Sequence, residues 1–466
     1  MKNSFDLVVI GGGSAGFGAV IKGSELGASV ALIENGTMGG TCVNVGCVPS
    51  KRMLAVGDVN YYGDHRYRGV TLSPGPLNLA KVVREKDQLV RDLQTRKYLH
   101  VLRGIPDLKI IKGTAQFISR TTLKVSGKEI HGRNFVVATG SFTRVPGYKG
   151  TRIVDYLTNI EALNRHTRPD TLLIIGGRAL ALEFAQMYAH FGTRVTLLQR
   201  NKKIIPNEEP EISDSLLRYL QEEGIEINTD VQIKEIRNKG RLKAVSAICR
   251  GRVKEYVGEE LLMATGRSPN IRELGLQRIG VNVKVDGGVI VNEEMQTSVP
   301  NIWAAGDVTG GQMLETIAAK GGSIAAHNAI TNPKRKIDMR SVPHAIFTMP
   351  QVASVGLTDA QARQKGIRHS CRWLPMSAVT KAQIIGDTRG LVKLVIEERT
   401  RRIMGVHILA PLAADMIHEG AMAVKFDLTI DDLIDTVHVF PTMSEAIKLT
   451  AQSFYGDVNM MSCCTE

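Results

Sequence analysis

Four of the six cysteines in this 466-residue chain come in two pairs. Cys42 and Cys47 sit inside GGTCVNVGCVPSK with four residues between them, and Cys463 and Cys464 are adjacent, close to the C-terminus. Two thiols at the first spacing can close a disulfide and, beside an electron donor, cycle between oxidised and reduced forms. An adjacent pair on a terminal tail can grip a soft cation and hand it on by thiolate exchange. The first pair therefore suggests an electron relay, the second a metal hook.

The electron donor is legible just upstream. FDLVVIGGGSAGFGAV opens with an apolar run suited to a buried strand, passes through Gly11, Gly13 and Gly16, and continues as a helix. Glycines at this spacing in a strand-turn-helix setting let the backbone approach a pyrophosphate at the helix N-terminus, with Ser14 and Ala15 in its first turn. Glu34 ends the next apolar strand, SVALIE, where an acid can bind ribose hydroxyls. A second strand-turn-helix-strand unit lies at TLLIIGGRALALEFAQMYAHFGTRVTLLQRNKK. It keeps Gly176 but places Arg178 and Ala181 at the other two glycine positions. After its second strand, Leu198, Gln199 and Arg200 bring no carboxylate, and Lys202 and Lys203 follow. A missing acid and a basic cluster favour a 2'-phosphate, hence NADPH over NADH, with Arg178, Arg200 and Lys202 as its partners.

Bulk properties narrow the setting. Fifty-nine Lys and Arg against 46 Asp and Glu give a net charge of +13, but the charge is dispersed and no nucleic-acid-binding signature accompanies it, so no nucleic-acid partner is expected. The N-terminus runs straight into the first strand, and no apolar run reaches the 18 or so residues of a membrane span, so a cytoplasmic protein with no membrane partner is expected. Six cysteines in so long a chain do not make a disulfide framework. Cys249, in the alternating AVSAICRG, and Cys371 read as buried or incidental, and the eleven histidines show no zinc-ligand spacing with cysteines. Leu79 to Leu102 reads as one long helix of mixed charge.

The redox segment, preceded by the glycine fingerprint and followed by NFVVATGS and NIWAAGDVTG, resembles the active-site segment of the flavin disulfide reductases, along essentially the whole chain. The resemblance implies an α/β fold with two doubly wound nucleotide-binding domains, for FAD and NADPH, and an α+β C-terminal dimerisation domain. Residues 1–150 would form the FAD domain, 151–266 the NADPH domain, 267–340 the rest of the FAD domain, and 341–466 the dimerisation domain with the dicysteine tail. It implies that Cys47 faces the flavin while Cys42 is the interchange thiol. It further implies that Lys51 pairs with Glu183 near the flavin, and that Asp307 binds the flavin ribityl chain. Gly40, Thr41, Ala115, Thr139, Gly140, Ser141, Gly266 and Arg267 would line the cofactor sites.

Within that family, members that reduce organic disulfides place a histidine directly before the proline of an H-P-T-x-S-E segment, to protonate the leaving thiolate. Here the segment reads HVFPTMSEA, with Phe440 at that place. A phenyl ring moves no proton, which disfavours the usual disulfide chemistry. His438, two residues earlier, would share a face with Phe440 in a strand-like segment and is the substitute acid if there is one. Hg(II) needs no such acid, because it is held by two thiolates and reduced by two electrons. FYGDVNMMSCCTE resembles the C-terminus of the mercury-reducing branch, which implies Hg(II) as substrate, Cys42, Cys47, Cys463 and Cys464 as metal ligands, and a homodimer with composite sites. Two departures from that branch are read here: with the first strand following directly on Met1, no N-terminal metal-binding domain is expected, and Thr442 follows Pro441 where several members carry tyrosine. Two other functions remain open: NAD(P)H-dependent reduction of a small disulfide with His438 as acid, and sequestration of thiophilic metals without turnover.

Overall fold

The computed structural model describes residues 3–62 and 75–456. They fall into two compact units. The first comprises residues 1–52, 81–145 and 266–337, and the second comprises 53–80, 146–265 and 338–466.

In the first unit, β1 (Ser4–Ile10) leads through a glycine turn into α1 (Ser14–Glu25) and then β2 (Val30–Glu34). β2 runs parallel to β1 and to Lys109–Lys112, and the far side of β1 pairs in parallel with β3 (Lys128–Val137). The strand Ile302–Ala304 adds to β3, so the C-terminal part of the unit completes a sheet begun at the N-terminus. β1 is apolar at consecutive positions because both faces of the sheet are covered. Val8 and Ile10 join the core with Phe117, Leu123 and Phe135, while Leu7 and Val9 pack with Ala19, Val136 and Trp303 on the other side. Each of the buried Val, Leu, Ile and Phe side chains among these contributes about 1.5–3 kcal/mol, which fixes the strand and the turn that follows it.

The long helix read from sequence is present as Leu79–Leu93, a wider π-helical stretch Gln94–Leu99, and His100–Arg103. Such a widened turn shifts the side chains beyond it around the axis. Here it carries Tyr98, whose ring packs on Phe17 of α1 with centroids 4.8 Å apart.

The second unit repeats the strand-turn-helix-strand arrangement with β4 (Thr171–Ile175), α2 (Ala179–His190) and β5 (Arg194–Leu198), in a parallel sheet with Glu226–Asn228 and Glu260–Met263. Its C-terminal part holds a five-stranded antiparallel sheet in the order His344–Ile346, Gln351–Gly356, Ile403–Ala410, Leu391–Glu397 and β6 (His369–Pro375), an edge strand. The helices Ala413–Lys425 and Glu445–Gln452 share one core with it. The expected strand-like segment through His438 is not formed: residues 436–440 belong to no helix or strand. Val437 and Val439, which flank His438, are both exposed, so no burial holds this segment in a sheet. Among the described residues no helix is long and apolar enough to cross a membrane.

Candidate active site

The redox loop is built against the first glycine turn. Cys42 lies on the one-and-a-half-turn helix Gly40–Val45, and Cys47 opens the helix Cys47–Tyr62 directly after Gly46. Gly40 has φ +63°, and a Cβ there would lie 2.6 Å from the Cα of Gly13, so only glycine lets the loop seat this closely on the turn. Gly16 serves the turn itself, since a Cβ would come within 1.7 Å of the Gly11 carbonyl oxygen.

Both sulfurs are thiols in this structure. They form an unequal pair. Cys47 is pulled down to about 7, chiefly by the hydrogen bond it accepts from the Cys42 thiol, with the Lys51 ammonium and the helix-opening backbone N–H adding to this against the opposing effect of burial. Cys42 is pushed well above the usual thiol range because it donates that bond, is partly buried, and feels both Cys47 and the Glu315 carboxylate. The pair therefore holds one proton and one negative charge near neutral pH, with the charge on Cys47.

A cleft of about 480 Å³ opens in front of the two thiols. It is lined by Gly11, Gly13, Ser14, Ala15, Glu34, Gly40, Thr41, Ala115, Thr139, Gly140, Ser141, Arg267 and Asp307 together with both cysteines. Glu34 accepts the N–H groups of Gly12 at 2.5 Å and Gly36 at 2.6 Å, which pins its carboxylate at the rim. At the other end Ser141 Oγ donates to Asp307 Oδ2 at 2.5 Å, and Arg267 donates to Ser141 Oγ and to its carbonyl at 2.7 and 2.8 Å. Gly266 adjoins this cluster, its carbonyl accepting the Arg144 N–H at 2.9 Å. The helix N-terminus, the glycines packed too closely for any Cβ, and the polar groups at both ends fit a flavin dinucleotide: α1 for the pyrophosphate, Glu34 for a ribose, Asp307 for the polyol.

Residues 5–331 match the pyridine nucleotide-disulphide oxidoreductase family, and residues 342–451 match its dimerisation domain. The chain belongs to the pyridine nucleotide-disulphide oxidoreductases. Similar members of this family include the mercuric reductase of Staphylococcus aureus, 40% identical over 99% of this chain and 84% of that protein, and that of Streptomyces lividans, 38% identical over 99% and 98%. Among solved structures, the Cu(II) complex of the HOCl-induced flavoprotein disulfide reductase RclA from Escherichia coli superposes with a TM-score of 0.87 at 29% identity, covering 97% of this chain and all of that one. As an oxidoreductase of this family with its dimerisation domain, the chain works as a homodimer on a small-molecule substrate.

In the second unit Gly176, at φ +140°, approaches the Ala264 carbonyl so closely that a Cβ would lie 2.2 Å from its oxygen. Arg178 caps α2 with extended backbone and an exposed side chain, so it neither crowds the turn nor is consumed by packing. Gln199 is buried against Lys203, donating to its carbonyl, and Lys203 pairs with Asp214 at 2.7 Å. Arg200 and Lys202 are exposed beside them, so two cations remain at the end of β5 for an anionic ligand. Glu183 is buried in α2, where it accepts the Phe347 N–H at 3.0 Å.

His438 is engaged at both ring nitrogens, Nδ1 with the Thr436 carbonyl at 2.9 Å and Nε2 with Glu419 at 2.9 Å. Phe440 is half exposed. Cys463 and Cys464 lie outside the described residues. Two residues of the site escaped the sequence reading: Glu315, at the first turn of the helix Glu315–Ile330, and Tyr98, which bonds Ser14 and faces both thiols. Both lie far in sequence from the loop, and no spacing rule signals them.

Proposed function

We propose that this oxidoreductase reduces thiol-bound Hg(II) to elemental mercury, with NADPH as reductant, on the pair Cys42 and Cys47. The observation that carries the reading is the coupled thiol pair, one sulfur charged and one protonated, with Phe440 where a proton donor would otherwise stand. Likeness along nearly the whole chain to proteins named mercuric reductase supports it. The chemistry that FAD and NADPH supply when bound, the former in the first cleft and the latter at Gly176, Arg178, Arg200 and Lys202, is delivery of an electron pair.

The chain's own part is ligand exchange. The Cys47 thiolate attacks mercury in RS–Hg–SR and one RS⁻ leaves. Cys42 then displaces the second thiolate, giving it the proton that Cys42 held, so that RS⁻ and RSH depart and a neutral bis-thiolate complex remains. Two electrons convert the ion to Hg(0), both cysteines return as thiolates, and Cys42 regains a proton. No sulfur–sulfur bond is cleaved, so no acid is needed at position 440. In this reading Lys51, one turn beyond Cys47, steadies the negative charge and pairs with Glu183. The tail thiols Cys463 and Cys464 of one protomer strip the ion from cellular thiols and pass it to the pair in the other, in the cytoplasm.

The test is anaerobic NADPH oxidation with Hg(II) in excess thiol, comparing the intact chain with a Cys463→Ala/Cys464→Ala variant. Hg(II)-dependent oxidation that weakens in the variant when the carrier thiol is bulky or scarce supports the reading and the role of the tail. Turnover of an organic disulfide with indifference to Hg(II) replaces it with disulfide reduction, and tight metal binding without NADPH consumption replaces it with sequestration. In the same assay Arg200→Ala/Lys202→Ala is expected to raise the KM for NADPH by about tenfold or more while leaving that for NADH nearly unchanged.

A further inference from the structure

At the edge of the five-stranded sheet three side chains with metal-binding atoms converge, far in sequence from the redox loop. His369 and Cys371 are two residues apart on β6, so they project from the same face. Asp359 opens the short helix α3 (Asp359–Gln364), behind the capping residue Thr358, whose Oγ1 accepts the Gln361 N–H at 3.2 Å. The ligand atoms of Asp359, His369 and Cys371 all lie within 4.8 Å of one another. No spacing along the chain signals this meeting: the histidines and cysteines have no zinc-ligand spacing, and the third group comes from another element.

The arrangement is held from behind. Asp359 is fixed by its own N–H, which donates to the buried Glu209 at 2.6 Å. His369 Nδ1 is 2.7 Å from the Ile367 carbonyl, a contact that only a protonated Nδ1 can make. That fixes the tautomer and turns Nε2 toward Asp359 Oδ1, also at 2.7 Å. An imidazole orientated by a carbonyl on one nitrogen, with the other directed at a carboxylate and a thiol, is the usual outer-shell arrangement of a metal-ligating histidine. Two lone pairs facing each other at this distance repel, so something positive must stand between them: a proton, making an ion pair, or a cation.

We propose that Asp359, His369 and Cys371 form a second, non-catalytic site for a borderline-soft divalent cation of the Zn(II) class. One sulfur, one nitrogen and one oxygen with an open fourth position suit a tetrahedral d¹⁰ ion better than Mg(II) or Ca(II), which take oxygen ligands. Tetrahedral bonds of about 2.0–2.3 Å place neighbouring ligand atoms roughly 3.3–3.7 Å apart, so the carboxylate and imidazole open slightly and the thiol closes in. Binding is balanced by proton release: the cation replaces the proton on His369 Nε2 and the proton of the Cys371 thiol, which burial pushes up to about 11 even with the Lys393 ammonium nearby. Arg363, which reaches Asp359 Oδ2 at 3.1 Å from an exposed position, is the internal competitor. Filling the site would clip α3 to the edge strand β6.

The site is tested in the full-length, cofactor-loaded dimer, with the other functional thiols silenced by Cys42→Ser, Cys47→Ser, Cys463→Ser and Cys464→Ser. Co(II) serves as the spectroscopic probe. The proposal expects intense tetrahedral ligand-field bands to the red of the flavin absorption, a thiolate-to-metal band, and displacement of both by an equimolar amount of Zn(II). Adding Cys371→Ser must abolish the thiolate band, His369→Ala must weaken binding by about tenfold or more, and Arg363→Ala must tighten it. Cys249→Ser, as control, must leave the spectrum unchanged. Weak octahedral spectra, or bands that survive both Cys371→Ser and His369→Ala, overturn the proposal and leave an imidazolium–carboxylate pair in its place. Retained flavin absorbance in each variant shows that it is folded, and Cys371→Ser in an otherwise intact chain should keep its turnover.

Discussion

In the first unit Cys47 is held down to about 7, whereas at the edge of the five-stranded sheet Cys371 is pushed up to about 11. Both sulfurs are partly desolvated and both feel a nearby carboxylate, Glu315 for one and Asp359 for the other. What separates them is a donor. Cys47 receives a hydrogen bond from a second thiol, stands at a helix opening and has Lys51 beside it, while desolvation leads the causes acting on Cys371. The lesson is that burial alone makes a thiol inert, and that a reactive one needs neighbours that prefer its charged form. A cation could still claim Cys371 by supplying the positive charge itself, which is how a poor nucleophile can remain a competent ligand.

The largest effect should come from removing the thiolate of the active pair. Cys47→Ser is expected to lower Hg(II)-dependent NADPH oxidation by about a thousandfold or more in initial-rate assays, since it removes the low-pKa thiolate that opens the exchange and one of the two sulfurs that hold the ion for reduction. Residual activity above a tenth would break the comparison. Next, the two thiols can be ranked directly by iodoacetamide labelling at pH 7 in the NADPH-reduced enzyme with chelator present, each cysteine quantified by mass spectrometry. Four pKa units favour Cys47 in thiolate fraction, and the lower nucleophilicity of a less basic thiolate returns part of that, leaving Cys47 faster by about a hundredfold. Equal rates would contradict the assignment.

The smaller effects concern the charges around Cys47. Its lowered pKa means that the thiolate is present above about 7 and is lost as pH falls through that value, so labelling should decline on the acid side. Lys51→Met removes a cation that favours the thiolate and should move this midpoint upward by about one unit. Glu315→Gln removes a carboxylate that opposes it and should move the midpoint downward by a few tenths. If both variants shift the midpoint in the same direction, the electrostatic account of the pair fails.

How much of this was open to a reader of the chain depends on what each part is made of. The first turn and the redox loop are dictated by backbone clearance, which only glycine satisfies, so Gly11 and Gly16 announce themselves through spacing, while Gly40 was reached only through the family resemblance. The second strand-turn-helix was equally legible as backbone, because Gly176 again stands where a Cβ would meet a carbonyl, that of Ala264. Tyr98 and Glu315 were not, since a π-helical turn and a distant helix start bring them to the thiols. The same holds for Asp359 beside His369 and Cys371, where two elements must fold before three ligands meet. The strand-like segment in which His438 would share a face with Phe440 is absent because its exposed neighbours Val437 and Val439 give no burial to hold it, and the engagement of both ring nitrogens is visible only in three dimensions.

The central claim is that electrons leave the Cys42 and Cys47 pair on mercury, not on sulfur. Its most direct test is to purge purified enzyme with inert gas during turnover on Hg(II) in excess thiol, trap the vapour, and count mercury released against NADPH consumed. The account predicts one atom of Hg(0) for each NADPH oxidised. Steady NADPH consumption with glutathione disulfide or lipoamide, and no trapped mercury under any condition, would contradict it.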